Sequence, residues 1–136
     1  MTFANIRLLA AGLGASALLG VAIAAHAQGP DASVVNVEMS EFHYAPAEID
    51  LLQGHRYVFH ITNTGGVAHD LEAKDFFQTV QLAPEAAAKL SGGRIELAKG
   101  ETLDVAFVTS KPGVFEMHCT HPLHSVFGMK GKIVVR

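Results

Sequence analysis

Apolar and polar side chains alternate along several short stretches of the chain, and glycine and proline separate these stretches. A repeat of two residues is typical of a β-strand with one buried face, and the stretches are rich in β-branched and aromatic residues. We predict strands over 33–39, 47–54, 55–66 and 131–136, with three more inside 94–119. Short strands at this spacing indicate an all-β domain built as a sandwich or a barrel.

One stretch, residues 75–93, does not follow this alternation. It reads DFFQTVQLAPEAAAKLSGG, in which Pro84 suits a first helical turn and Gly92-Gly93 suits a helix end. We therefore predict a short helical insertion around residues 75–91, placed between two strands. No repeat or second domain is evident in the sequence, and 136 residues are enough for one domain at most.

The N-terminus carries the features of an export signal. An apolar run from Leu8 to Ala25 follows the single basic residue Arg7, and Ala25-His26-Ala27 matches the small-x-small pattern of signal peptidase cleavage. A membrane anchor is the alternative, because the run approaches spanning length. The high alanine and glycine content and the adjacent cleavage pattern favour a signal peptide. We expect 1–27 to be removed after Ala27, which leaves 28–136 as an exported domain without stable membrane insertion.

The charge of the exported part bears on its partners. Loss of Arg7 leaves nine basic residues against 13 acidic ones, so the net charge with neutral histidine changes from −3 to about −4. Nucleic-acid binding needs a basic face, so this balance argues against a nucleic-acid partner.

Cys119 is the single cysteine of the chain, so it cannot form an internal disulfide. In an exported protein such a thiol calls for an explanation. Four remain open on this residue alone: a buried inert thiol, an intermolecular disulfide, a nucleophile or a metal thiolate.

The residues that follow Cys119 favour the metal thiolate. The stretch CTHPLHSVFGM contains the spacing Cys-x4-His-x4-Met, with His124 and Met129 as its second and third members. Two imidazoles and a thiolate with a weak thioether form a blue-copper site, so this loop lacks only one imidazole. Structural zinc sites rarely use methionine, which favours copper over zinc.

His69 fits the need for a second imidazole. It lies in NTGGVAHDLEA, just past a predicted strand and 50 positions before Cys119, and Gly65 and Gly66 permit a close backbone approach. With this residue the chain resembles the cupredoxins, the small blue copper proteins such as plastocyanin, azurin and auracyanin. The segments NTGGVAHDL and CTHPLHSVFGMKGKIVV carry the resemblance, which spans about residues 34–136.

The resemblance implies a Greek-key β-sandwich that holds one type 1 copper ion. His69, Cys119 and His124 would be the equatorial ligands and Met129 the axial ligand. It also implies single-electron transfer in the periplasm rather than an enzymatic reaction. A cytochrome or a copper enzyme would dock near His124, on an apolar rim formed by Val67, Leu123, Val126 and Phe127.

Two other functions remain open. Additional histidine and methionine residues around the motif are compatible with a periplasmic copper-binding protein for copper tolerance or delivery. A Cys–His nucleophile is the enzymatic alternative, but the sequence offers no clear third residue to orient the histidine.

Two residues that lie close to the expected ligands in the sequence, His121 and Asp70, could also affect the site. His121 stands where azurin-like loops carry an apolar residue, and we expect it to stay outside the ligand set and at most to form hydrogen bonds near it. Asp70 stands where many cupredoxins carry an asparagine that ties the two ligand loops together. An ionised carboxylate there would lower the copper reduction potential, a protonated one could mimic the asparagine, and the remaining alternative is a side chain that faces the solvent.

Overall fold

The computed structural model describes residues 31–136, so the expected signal peptide and its cleavage after Ala27 lie outside the described residues. Ten strands and two short helices occur in this part of the chain. In chain order they are β1 (Ser33–Ser40), β2 (His43–Ala45), β3 (Glu48–Leu51), β4 (Arg56–Asn63), β5 (His69–Glu72), α1 (Lys74–Phe77), β6 (Gln81–Leu82), α2 (Pro84–Ala87), β7 (Arg94–Leu97), β8 (Thr102–Val108), β9 (Gly113–His118) and β10 (Lys130–Val135). No helix among residues 31–136 is long and apolar enough to cross a membrane.

The strands form two five-stranded sheets that pack as a sandwich. One sheet has the order β2-β1-β4-β8-β6 and the other β3-β10-β9-β5-β7. Strands β1 and β4 pair in parallel, as do β3 and β10, while the remaining pairs are antiparallel. The prediction of an all-β sandwich is confirmed.

The core lies between the sheets and follows the predicted alternation. Every second residue of β4 is buried, namely Tyr57, Phe59, Ile61 and Asn63. Phe59 lies edge-to-face against Phe107 of β8, with ring centroids 4.7 Å apart, and Phe76 packs against Phe107 at 5.3 Å. Such aromatic pairs add to the free energy of apolar burial, and they link the first sheet to the insertion.

The insertion differs from the helix predicted around residues 75–91. It contains two four-residue helices, α1 and α2, with the short strand β6 between them. Strand β6 pairs with β8 and so extends the first sheet, a non-local contact that the local pattern does not encode. Pro84 begins α2, as expected, and Phe76 and Phe77 are buried in the core.

Candidate metal centre

The candidate ligands come together at one end of the sandwich. His69 is the first residue of β5, whereas the sequence analysis placed it just past a predicted strand and predicted no strand there. Cys119 directly follows β9, and Met129 directly precedes β10. Strands β9 and β10 pair antiparallel, with His118 opposite Lys130. The loop between them therefore starts and finishes at the same end of the sheet. His124 lies in this loop.

Three of the four predicted ligands form a compact cluster. The side-chain nitrogen of His69, the sulfur of Cys119 and a ring nitrogen of His124 all lie within 4.8 Å of one another. The sulfur of Cys119 is 3.5 Å from Nδ1 of His124. His69 and Cys119 are fully buried, whereas His124 is half-buried.

His69 provides an independent sign that the cluster holds a cation. Neither of its buried ring nitrogens has a hydrogen-bond partner among residues 31–136. Burial lowers the pKa of its imidazole, and the neighbouring His124 lowers it further. A neutral imidazole without a partner is unfavourable in a protein interior, and a metal ion would accept its lone pair. The residues present therefore fit a metal ion.

The surroundings of Cys119 affect its ionisation in two opposite ways. Burial raises the pKa of its thiol, while hydrogen bonds from the backbone amides of Asp70 and His121 lower it. The effect of these amides favours the thiolate, which is the form that binds metals. His121 thus contributes to the site through its backbone, a role that reasoning about its side chain did not reveal.

Met129 is the last residue of the loop between β9 and β10. Its amide donates to the carbonyl oxygen of His124 at 3.0 Å, and its carbonyl oxygen accepts from the amide of Cys119 at 3.2 Å. The side chain of Met129 is fully buried. These two hydrogen bonds connect the backbones of three of the four predicted ligands, Cys119, His124 and Met129.

Asp70 is buried and connects the two ligand segments. Its Oδ1 accepts a hydrogen bond from the Thr120 amide at 2.8 Å, and its Oδ2 accepts one from the Thr120 hydroxyl at 2.5 Å. The Tyr44 hydroxyl donates to the Asp70 carbonyl oxygen at 2.7 Å, and burial raises the pKa of Tyr44. The alternative in which Asp70 faces the solvent is wrong, since its side chain is fully buried.

His121 lies beside the cluster without belonging to it. Its ring stacks on that of His124, with centroids 5.4 Å apart and planes inclined by 23°. Its Nε2 lies 3.8 Å from Oδ2 of Asp70 and 3.6 Å from Oε1 of Glu96. The contacts of its imidazole are therefore with these two carboxylates and with the His124 ring.

The turn before His69 is fixed by Asn63, which the sequence analysis did not identify. The buried side chain of Asn63 donates to the carbonyl oxygens of Val67 and Leu97, and it accepts from the amide of Gly65. A Cβ atom at Gly65 would lie 2.6 Å from Nε2 of His69. The expected close approach of this glycine is therefore present, and Asn63 holds it there.

An exposed apolar rim lies on the loops at the same end of the sandwich as His124. It consists of the four residues named from the sequence and of Phe42, which lies in the turn between β1 and β2. The ring of Phe42 meets the His124 ring edge-on, with centroids 5.4 Å apart, and also contacts Phe127. Phe42 reaches this position through the fold, because it lies 82 positions before His124.

A two-sheet sandwich that gathers two imidazoles and a cysteine thiol at one end defines the cupredoxin class. The chain belongs to this family, since the model of the cupredoxin-like domain matches residues 13–135.

Similar proteins include one curated relative and several solved structures. The chain is 29% identical over 109 residues to the copper-resistant cuproprotein CopI of Rubrivivax gelatinosus, a match that covers 75% of this chain and 66% of that protein. Reduced auracyanin from Roseiflexus castenholzii superposes with a TM-score of 0.58 at 20% identity, over 77% of this chain and 98% of that one.

Two further structures extend the comparison. Auracyanin B gives a TM-score of 0.58 at 24% identity, over 79% of this chain and 91% of that one. The McoA multicopper oxidase of Aquifex aeolicus gives 0.59 at 17% identity, over 79% of this chain and 30% of that one. The fold thus occurs both in auracyanins and within a multicopper oxidase, and at these identities the likeness concerns the fold alone.

Proposed function

We propose that this chain is an exported type 1 copper protein that carries single electrons between redox partners in the periplasm. The observation that carries the proposal is the cluster of His69, Cys119 and His124, in which the buried His69 has no hydrogen-bond partner among residues 31–136. In this proposal the three side chains are the equatorial ligands and Met129 is the axial one. Export is supported by the pattern of the first 27 residues.

Copper when bound would supply the chemistry of one-electron oxidation and reduction. The chain would accept one electron from a donor protein and give it to an acceptor, with no bond made or broken in a substrate. His69 and Cys119 lie inside the packed core, so their positions change little when the charge of the site changes. The amides of Asp70 and His121 stabilise the negative charge on the sulfur.

Electrons would enter and leave beside His124. This ligand is half-buried, and the apolar rim around it offers a small docking surface without a large charge requirement. Brief encounters between redox proteins use small interfaces of this kind. A cytochrome or a copper enzyme is the kind of partner that we propose.

An enzymatic role for Cys119 is not supported by its surroundings. Its side chain is fully buried, and burial raises the pKa of the thiol. A nucleophilic cysteine needs access to a substrate and an easily formed thiolate. We therefore propose a carrier and not an enzyme.

Copper titration of the purified protein tests this function. The parent should bind one copper ion and show an intense thiolate-to-copper charge-transfer band and the matching EPR spectrum. Cys119→Ser should lose the band, because the oxygen ligand does not supply a thiolate orbital. His118→Ala is the control, since this residue adjoins Cys119 but lies 3.7 Å from Glu72. A band that persists in Cys119→Ser would refute the ligand assignment.

A second candidate is copper tolerance or delivery, which is favoured by the relative that is named a copper-resistant cuproprotein. Competition with a strong copper(I) chelator separates the two functions. A delivery protein should give up copper quickly and exchange electrons poorly. A carrier should retain copper while it exchanges electrons rapidly with a soluble cytochrome.

A further inference from the structure

A buried carboxylate lies directly beside the proposed ligands. The side chain of Asp70 has no solvent exposure, and both of its oxygens accept hydrogen bonds, which is the pattern of a carboxylate rather than a carboxylic acid. A buried negative charge is unfavourable unless a cation or several donors compensate it. Thr120 supplies two donors, so the question is which cation faces the remaining charge.

Arg94 is the cationic residue that the fold brings to this position, where Nε2 of His121 lies at the same distance of 3.8 Å from Oδ2 of Asp70. This arginine begins β7, which pairs with β5 so that Arg94 lies opposite Glu72 and Glu96 lies opposite Asp70. Its Nη1 lies 3.8 Å from Oδ2 of Asp70 and donates a hydrogen bond to Oγ1 of Thr120 at 3.2 Å. Its Nη2 lies 3.5 Å from Oε2 of Glu96.

These contacts connect Arg94 to both ligand segments at once. Asp70 directly follows His69, and Thr120 directly follows Cys119. The arginine itself comes from a third strand that carries no proposed ligand. We propose that Arg94 is a positioning residue of the metal centre: it holds Asp70 and Thr120 together, and its positive charge compensates the carboxylate buried beside the copper.

This inference rests on the proposed function, and it assigns a second consequence to the same contacts. Oxidised copper carries one more positive charge than reduced copper, so a negative neighbour stabilises the oxidised form and a positive neighbour stabilises the reduced form. With Arg94 in place, its positive charge offsets part of the negative charge of Asp70 and Glu96. Without it, more of the Asp70 charge would act on the copper and lower the reduction potential.

An arginine suits this role better than a lysine. The planar guanidinium can direct separate N–H groups at Asp70, Thr120 and Glu96, whereas an ammonium group is a single point charge. The two roles of Arg94 can therefore be separated. Arg94→Lys keeps the positive charge and loses the planar set of N–H donors, whereas Arg94→Gln loses both.

The experiment combines two measurements on the full exported chain. The first is the reduction potential of the copper-loaded protein by voltammetry. The second is the exchange rate of the Thr120 amide hydrogen in the metal-free protein by NMR, which reports its bond to Asp70 without any need for copper. Arg136→Gln is the matched control, because Arg136 also pairs with a carboxylate, that of Asp50, but lies at the opposite end of β10 from Met129.

Arg94→Gln should lower the potential and accelerate Thr120 exchange severalfold, while Arg136→Gln should change neither. Arg94→Lys should keep the parental potential and accelerate the exchange, and it carries the test if Arg94→Gln does not fold. The proposal is overturned if Arg94→Gln matches the Arg136→Gln control in both measurements. It is also overturned if Arg94→Lys keeps the parental exchange rate or lowers the potential as much as glutamine does. Failure of the parent to bind copper would contradict the proposed function, but the exchange measurement would still test the contacts of Arg94.

Discussion

Replacing Gly65 with alanine would remove no ligand and would add one methyl group at a crowded point of the site. The new Cβ would lie 2.6 Å from Nε2 and 2.8 Å from Cδ2 of His69, and 3.1 Å from Oδ1 of Asn63. Ordinary van der Waals contacts begin at 3.4 Å, so the imidazole would have to move by about 0.8 Å, the difference between 3.4 and 2.6 Å. Metal–ligand distances hold to within about 0.2 Å, so this displacement is roughly four times the tolerance of the bond.

The same displacement has a cost in stability. His69 and Asn63 are both fully buried, so neither side chain can swing into the solvent to make room. Adding a methyl group to a packed interior costs about 1–3 kcal/mol of unfolding free energy. The midpoint of thermal unfolding falls by about 4–8 °C per kcal/mol in a domain of this size class. The backbone of Gly65 is not left-handed, so the effect comes from the contact and not from the alanine backbone.

Two assays follow the prediction, with the adjacent glycine as control. Copper titration of Gly65→Ala should give a weakened or shifted charge-transfer band, and thermal unfolding of the metal-free variant should occur at a lower temperature. Gly66→Ala should resemble the parent, because its Cβ would meet only the end of the exposed Glu41 side chain, at 3.0 Å. If Gly65→Ala keeps both the parental band and the parental melting temperature, the packing argument for His69 is refuted.

Three further predictions concern residues around the cluster. Met129→Leu should raise the reduction potential measured by voltammetry, because loss of a weak axial donor disfavours the oxidised ion more than the reduced one; a lower potential would contradict the axial assignment. Tyr44→Phe should lower the unfolding free energy in urea by about 1–3 kcal/mol, since the Asp70 carbonyl oxygen loses its donor, and should leave the charge-transfer band in place. The free energy of unfolding of the metal-free protein, measured in urea, should fall as the pH falls from about 6.5, because burial lowers the pKa of His69 and the unfolded chain binds the proton more readily. His69→Gln should remove this pH dependence. An equal dependence in that variant would show that another group causes it.

The loop of predicted ligands could be recognised in the sequence because its residues lie close together in the chain. Cys119, His124 and Met129 lie within 11 consecutive residues, and the strands on either side of them show clear alternation. His69 is distant in the chain, but the glycine pair before it marks a turn at the end of a strand. Its position in the first residue of β5 was missed, since a four-residue strand is too short to show a period.

Other parts of the centre depend on contacts between distant segments, which a local pattern does not contain. Arg94 meets Asp70 only because β7 pairs with β5, and Phe42 meets His124 only because the β1–β2 turn lies at the same end of the sandwich. The orientation of Asp70 is a similar case. A carboxylate after a histidine is usually solvated, and only the Thr120 donors across the loop make its burial favourable.

The pattern of burial also leads to a prediction that distinguishes the two proposed functions. Two of the three clustered side chains, His69 and Cys119, are closed to the solvent, so copper can leave only if the loop from Cys119 to Met129 opens. Opening would break the two backbone bonds of Met129 and the bonds between Thr120 and Asp70. An electron needs no such opening, because the half-buried ring of His124 already reaches the surface. We therefore expect the protein to retain its ion while it passes electrons, and rapid loss of copper to a chelator from the native protein would contradict that expectation.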